Sequence, residues 1–141
     1  MKHVFLGAAV SVLLTTASWA DEATTYVVNI EDGATVSSPV KIVFGLSGKG
    51  VAPAGVEKEG TGHHHVLLNR APYGEAADDG EMVEFGIPAD DNHIHFGGGQ
   101  TEVTLDLEPG THTVQLLLGD HNHKPHDPVV VSEVVTFTVT E

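Results

Sequence analysis

Alternation of apolar and polar residues is the feature that most limits the folds open to this chain. Apolar side chains recur at every second position in five runs, and no segment carries a helical stripe. A period of two is typical of half-buried β-strands. The runs are Tyr26, Val28 and Ile30; Val40, Ile42, Phe44 and Leu46; Val103, Leu105 and Leu107; Val114, Leu116 and Leu118; and Val135, Phe137 and Val139.

The segments between these runs favour a sandwich with long loops. We predict an all-β, immunoglobulin-like antiparallel β-sandwich of about six or seven strands. Glu108-Pro109-Gly110 separates two of the runs and predicts a short hairpin. Two weakly patterned stretches, Gly48–Gly62 and Tyr73–Asp91, are predicted to be long loops, and each leads into a group of histidines.

The first residues have the composition of a secretion signal. An apolar run, Val4–Leu14, follows Lys2, and Ser18-Trp19-Ala20 places small residues where a signal peptidase inspects the chain. We predict a Sec-type signal peptide over residues 1–20, cleavage after Ala20, and a single periplasmic or secreted domain over residues 21–141. No later apolar run reaches the roughly 18 residues that a membrane span needs. A retained N-terminal anchor is the alternative interpretation.

Charge and cysteine content narrow the possible partners. The formal net charge is -14, and removal of a leader whose one charge is Lys2 takes it to -15. Such an acidic domain is a poor partner for nucleic acid or an anionic membrane, but it attracts cations. Cysteine is absent, so any metal ion would be held by nitrogen and oxygen ligands.

The histidines are concentrated in three short segments. The chain has ten histidines; without His3 nine remain beyond residue 20, and eight of these are clustered. Imidazole is the commonest metal ligand among protein side chains. We therefore predict a metal site that draws on these eight residues: His63, His64, His65, His93, His95, His121, His123 and His126.

Strand geometry predicts how each cluster is presented. Residues i and i+2 of a strand face the same side, so His63 should point with His65, and His93 with His95. His64 should take the opposite side, in phase with the neighbouring apolar residues. If the three clusters converge at one end of a sandwich, they could surround one ion.

Ligand chemistry favours copper(II) or zinc, because imidazole suits both ions. Met82 is the single methionine beyond the leader, which disfavours a methionine-rich copper(I) carrier. The predicted role is sequestration, delivery or sensing of the metal ion, and the sequence identifies no protein partner.

Two further functions remain open. Protonation of nine imidazoles would change the formal charge from -15 to -6, so the histidines could form a pH-responsive interaction surface instead of a metal site. A metal-dependent enzyme would need a general base, for which Glu102 is the first candidate. No nucleophile motif is present, and no catalytic residue is predicted.

Several long motifs are spread over the chain from Gly45 to Val139. They are Gly50–Gly55, Gly62–His65, Asp91–Glu102, Pro109-Gly110, Gln115–His123 and Pro125–Pro128. Together they resemble a known bacterial family, the domain of unknown function 4399. The resemblance implies a small secreted protein without an assigned activity. A shorter stretch, Glu31–Val36 with Ser38-Pro39, is similar to the first strand of immunoglobulin-like copper-resistance proteins of the periplasm.

Overall fold

This computed structural model describes residues 22–140, which contain nine β-strands and one short helix joined by loops. The predicted signal peptide and its cleavage site lie outside these residues. The elements are β1 (Thr24–Val27), β2 (Ala34–Ser37), β3 (Val40–Ser47), β4 (Gly50–Val51), β5 (Thr61–Leu68), α1 (Asp79–Phe85), β6 (His93–His95), β7 (Glu102–Leu105), β8 (Gly110–Gly119) and β9 (Val135–Thr140).

The strands form two sheets. The smaller sheet is antiparallel, in the order β1-β3-β7, and the larger has the order β2-β9-β8-β5-β4, with β6 also paired to β5. Two pairs in the larger sheet are parallel, β2 with β9 and β4 with β5. The prediction of a β protein is confirmed, but the larger sheet is a curled mixed half-barrel and one helix is present. The wholly antiparallel arrangement was therefore wrong.

The main core holds the side chains that four of the five apolar runs predicted. Ile42, Leu116 and Phe137 are at most 1% exposed. Residues from β3, β5, β8 and β9 pack together there, and Val103 and Leu105 of β7 pack against them. Burial of one such large apolar side chain stabilises the fold by about 1.5–3 kcal/mol.

The first apolar run is buried only at its end: Ile30 lies in the main core, but Tyr26 and Val28 face outward, against the prediction. Tyr26 is 49% exposed and Val28 is 55% exposed, whereas Thr25 is buried and donates a hydrogen bond to the Gly45 carbonyl. Tyr26 pairs with Gly45 across β1 and β3, and its ring occupies the space that a β-carbon on Gly45 would need. The tyrosine therefore covers bare backbone on the outer surface.

The predicted hairpin at Glu108-Pro109-Gly110 does not form. β7 pairs with β3 in the smaller sheet, whereas β8 pairs with β5 and β9 in the larger one. The turn therefore carries the chain from one sheet to the other. Both strands turn apolar side chains toward the same core, and alternation alone does not reveal which sheet each strand joins.

Helix α1 lies inside the segment predicted to be a loop, and it begins at the Asp79-Gly80 pair. It has seven residues, of which only Asp79 and Met82 are buried. A helix this short, with one buried apolar residue, does not produce the periodic apolar stripe by which a helix is recognised in a sequence. Met82 packs against Leu67 and Leu117 on the outer face of the larger sheet. Among residues 22–140, no helix is long and apolar enough to cross a membrane.

Candidate metal centre

Strand β5 presents the histidine triplet to both faces of the larger sheet. His63 and His65 face the outer side, as predicted, and His64 points into the main core beside Phe44. All three side chains are 0% exposed. The triplet is therefore a buried segment and not a solvated surface patch.

His95 joins the outer pair because β6 runs antiparallel to β5. The register places His95 directly opposite His65, and its ring centroid lies 5.0 Å from those of both His63 and His65. One nitrogen from each of the three residues lies within 4.8 Å of the other two. Strand pairing alone thus brings these three imidazoles to one point.

The distance between ring nitrogens suits a shared ion. His63 Nε2 and His65 Nε2 are 3.0 Å apart. Two nitrogens bound to one tetrahedral zinc ion at the usual bond length would be about 3.3 Å apart. His95 Nε2 is buried and has no hydrogen-bond partner among the described residues. An ion between the three rings would replace the contact between His63 Nε2 and His65 Nε2 and would give His95 Nε2 a partner. The three residues could therefore hold a metal.

A fourth imidazole approaches from the loop between β8 and β9. The ring centroid of His123 lies 4.6 Å from that of His95 and 5.0 Å from that of His63. His123 is half-buried and has a left-handed backbone with φ 64°. Asp120 shapes this loop, since its Oδ1 accepts hydrogen bonds from the backbone N–H groups of Asn122 and Lys124.

Two glycines give the rings room. A β-carbon on Gly119 would lie 2.8 Å from His65 Nε2, and one on Gly97 would lie 2.7 Å from His95 Nε2. Any side chain at either position would displace an imidazole. At Gly97 the missing side chain thus permits a close approach of the backbone to the His95 ring.

Burial lowers the pKa values of the three strand histidines. Desolvation, with repulsion from His95 and His123, lowers the pKa of His63 to about 4, although Asp120 opposes the shift. Desolvation and the neighbouring imidazoles lower the pKa of His65 to about 2. The pKa of His95 is lowered by the same two causes. Neutral imidazole is the form that binds metal ions.

His93 shares the outer face with His95 but has other partners. Arg70 Nη1 donates to His93 Nε2 at 2.6 Å, so Nδ1 carries the proton and donates to Asp90 Oδ1 at 2.8 Å. Arg70 also forms a buried ion pair with Asp79, the first residue of α1. Sequence analysis missed this network. The one sequence feature that could have pointed to the network is that Arg70 is the only arginine in the chain.

The remaining sequence-predicted residues lie outside the three-histidine group. His64 packs against Phe44 with ring centroids 5.1 Å apart. His121 Nε2 lies 2.8 Å from the Asn122 amide. His126 lies beside Gly62 with its Nε2 buried. The structure thus brings His63, His65, His95 and His123 together and leaves His64, His93, His121 and His126 elsewhere.

The fold and the cluster define a small, mostly β protein with a buried three-histidine site that could hold a metal ion. A family model described as "Domain of unknown function (DUF4399)" matches residues 42–140, so the chain belongs to this family and the resemblance found in its sequence is confirmed. No curated protein and no solved structure matches the chain.

Proposed function

We propose that this protein binds one copper(II) or zinc ion through His63, His65 and His95, with His123 beside them as a fourth ligand. The observation that carries the proposal is the convergence of three buried ring nitrogens within 4.8 Å of one another. His95 Nε2 is buried without a hydrogen-bond partner among the described residues. Such a nitrogen is costly, and a bound ion would offset that cost.

The donor set supports these two metals. Each group offered at the cluster is an imidazole, which suits copper(II) and zinc. Met82, whose thioether a copper(I) site would favour, is on α1 and packs against Leu67 and Leu117. With pKa values of about 4 and about 2, His63 and His65 are neutral near neutral pH, so protons compete little with a metal ion for these two side chains.

The two other functions receive less support. Burial lowers the pKa values of His63 and His65 to about 4 and about 2, so these rings do not change charge near neutral pH. The enzyme hypothesis needs a general base, and its candidate Glu102 has another partner. Glu102 is on β7, and its Oε2 lies 2.9 Å from Lys41 Nζ in an ion pair.

The cellular setting and the fold relationship belong to the same proposal. Export to the periplasm rests on the sequence of residues 1–20, in which a basic start, an apolar run and a small-residue site follow one another. The immunoglobulin-like assignment rests on two sheets packed around one core.

Isothermal titration of the metal-stripped protein with copper(II) and with zinc tests the proposal. We expect one ion per chain. Loss of a residue that only orients a ligand lowers metal affinity by about 10- to 100-fold, so His65→Ala or His95→Ala should cost at least that much. His121→Ala with His126→Ala is the matched control and should bind as the wild type does.

Either of two results would contradict the proposal. The first is a wild-type protein that binds neither ion more tightly than the His65→Ala, His95→Ala double variant does. The second is a control variant that loses affinity as severely as the cluster variants, because the ion would then lie in the loop and not on β5 and β6.

A further inference from the structure

The four imidazoles at the centre differ in how firmly the backbone holds them. His63, His65 and His95 project from paired strands, and His123 projects from a loop. We propose that His123 is an exchangeable ligand, which leaves the ion when the ion enters or departs, while the strand histidines stay in place. This inference rests on the proposed function and specifies how the site would exchange its ion.

Burial indicates the side from which an ion could reach the site. His63 and His65 are 0% exposed and lie on β5, which pairs with β8 on one side and with β4 and β6 on the other. His95 is half-buried, but its Nε2 is fully covered. His123 is half-buried on the loop side, and its ring lies close to those of His95 and His63. An ion that approaches from this side meets His123 first.

The loop has few anchors compared with the strands. The carbonyl of His123 accepts the N–H of Ile87, and the carbonyl of His121 accepts the N–H of Gly55. The other hydrogen bonds of the turn lie within it and would move with it: Asp120 Oδ1 accepts the N–H groups of Asn122 and Lys124, and Asp120 also exchanges backbone hydrogen bonds with His123 and Lys124. By contrast, β5 is paired to β8 along six residues. Movement of the loop would break only a few hydrogen bonds and would leave both sheets intact, so it costs little free energy.

Three fixed ligands and one movable ligand suit transfer of an ion better than permanent storage. Withdrawal of His123 would leave a three-nitrogen site with an open position. A nitrogen, oxygen or sulfur ligand of an acceptor could occupy that position before the three strand histidines release the ion. The geometry therefore favours delivery among the three roles that the sequence left open.

Release of copper(II) to excess EDTA tests the inference, measured by stopped flow on the full chain. His123→Ala should still bind the ion but should release it at least about tenfold faster, since one ligand is missing. Electron paramagnetic resonance should show one fewer coordinated nitrogen. Added imidazole should restore both the signal and the slow release. His121→Ala and His126→Ala, in the same loop, should behave as the wild type does.

A second pair of variants tests the role of the loop. Asp120→Ala removes the oxygen that holds the turn and should speed release, whereas Asp120→Asn keeps an acceptor at this position and should not. Asp120 acts here as a positioning residue, so the number of coordinated nitrogens should be unchanged in both variants at rest.

The outcomes separate this inference from the proposed function. Wild-type release kinetics and an unchanged spectrum in His123→Ala would overturn the inference while metal binding stands. Complete loss of binding in His123→Ala would also overturn it, because the ligand would then be indispensable and not exchangeable. Failure of the wild type to bind copper(II) at all would overturn both.

Discussion

His64 lies between two candidate ligands in the sequence and faces away from both. Its ring packs against Phe44, and neither ring nitrogen has a hydrogen-bond partner among the described residues. Desolvation lowers its pKa to about 4. At the scale of the residue, His64 is thus a polar group held in an apolar core, and it should affect folding rather than metal binding.

The lowered pKa values predict how the stability of the metal-free protein depends on pH. His63, His64 and His65 have pKa values of about 4, 4 and 2 in the folded state and about 6.5 when unfolded. The unfolded chain therefore binds more protons below pH 6.5. Stability should be fully present above that pH and should fall as the pH decreases from about 6.5 toward 4. Denaturant unfolding in the presence of a chelator, at pH 7.5, 6.5 and 5.5, measures this loss.

His64→Leu provides the control for this prediction. Leucine has a similar volume and does not titrate, so the variant should lose less stability over the same pH range. It should also bind metal as the wild type does. A free energy of unfolding that stays constant between pH 7.5 and 5.5 in the wild type would contradict the prediction, because it would mean that folding does not lower the pKa values of these histidines.

At the scale of elements, the site depends on how β6 lies against β5 and on the turn that follows β6. The backbone of Gly97 lies against the His95 ring, and its N-terminal neighbour Phe96 belongs to the main core. Ala54 donates its N–H to the Gly97 carbonyl and so covers the turn. This packing leaves no space for a side chain at residue 97.

Gly97→Ala should therefore weaken metal binding by displacing His95. We expect a loss in affinity of at least about tenfold, comparable with the loss of a residue that orients a ligand, as measured by titration with zinc. Gly98→Ala is the matched control, because the atoms nearest to a β-carbon there all belong to the flexible Gln100 side chain. Equal affinities in the two variants would contradict the proposed position of His95.

The elements also show which parts of the site could be predicted from sequence. The two-residue alternation of side chains along a strand correctly placed His63 with His65 and His64 on the other face, because these relations are local to one strand. It also placed His93 on the side of His95. The separate role of His93 depends on Arg70, which lies 23 residues earlier. No local pattern contains that information.

For the whole molecule, alternation predicted most strands but not their partners. The strands of the runs beginning at Val40, Val114 and Val135 were found because each buries every second residue in the core. Sheet membership depends on long-range pairing, so the hairpin at Pro109 was predicted wrongly. Helix α1 was missed because seven residues with two buried positions leave no periodic signal.

The site itself is a property of the whole fold. Its histidines come from β5, from β6 and from the loop after β8, so they converge only when the larger sheet is complete. The clustering of histidines in the sequence indicated a metal site, and strand geometry explains the pairs. The selection of four rings from eight depends on the register between β5 and β6 and on the turn at Asp120.

Anomalous diffraction from crystals of the copper(II)- or zinc-loaded protein, collected at the absorption edge of the metal, tests the central claim most directly. We predict one strong peak per chain, at about 2.0–2.1 Å from ring nitrogens of His63, His65 and His95. A peak held instead by His121 and His126, or no peak in protein that carries one equivalent of metal, would contradict the proposal that these two strands form the metal site.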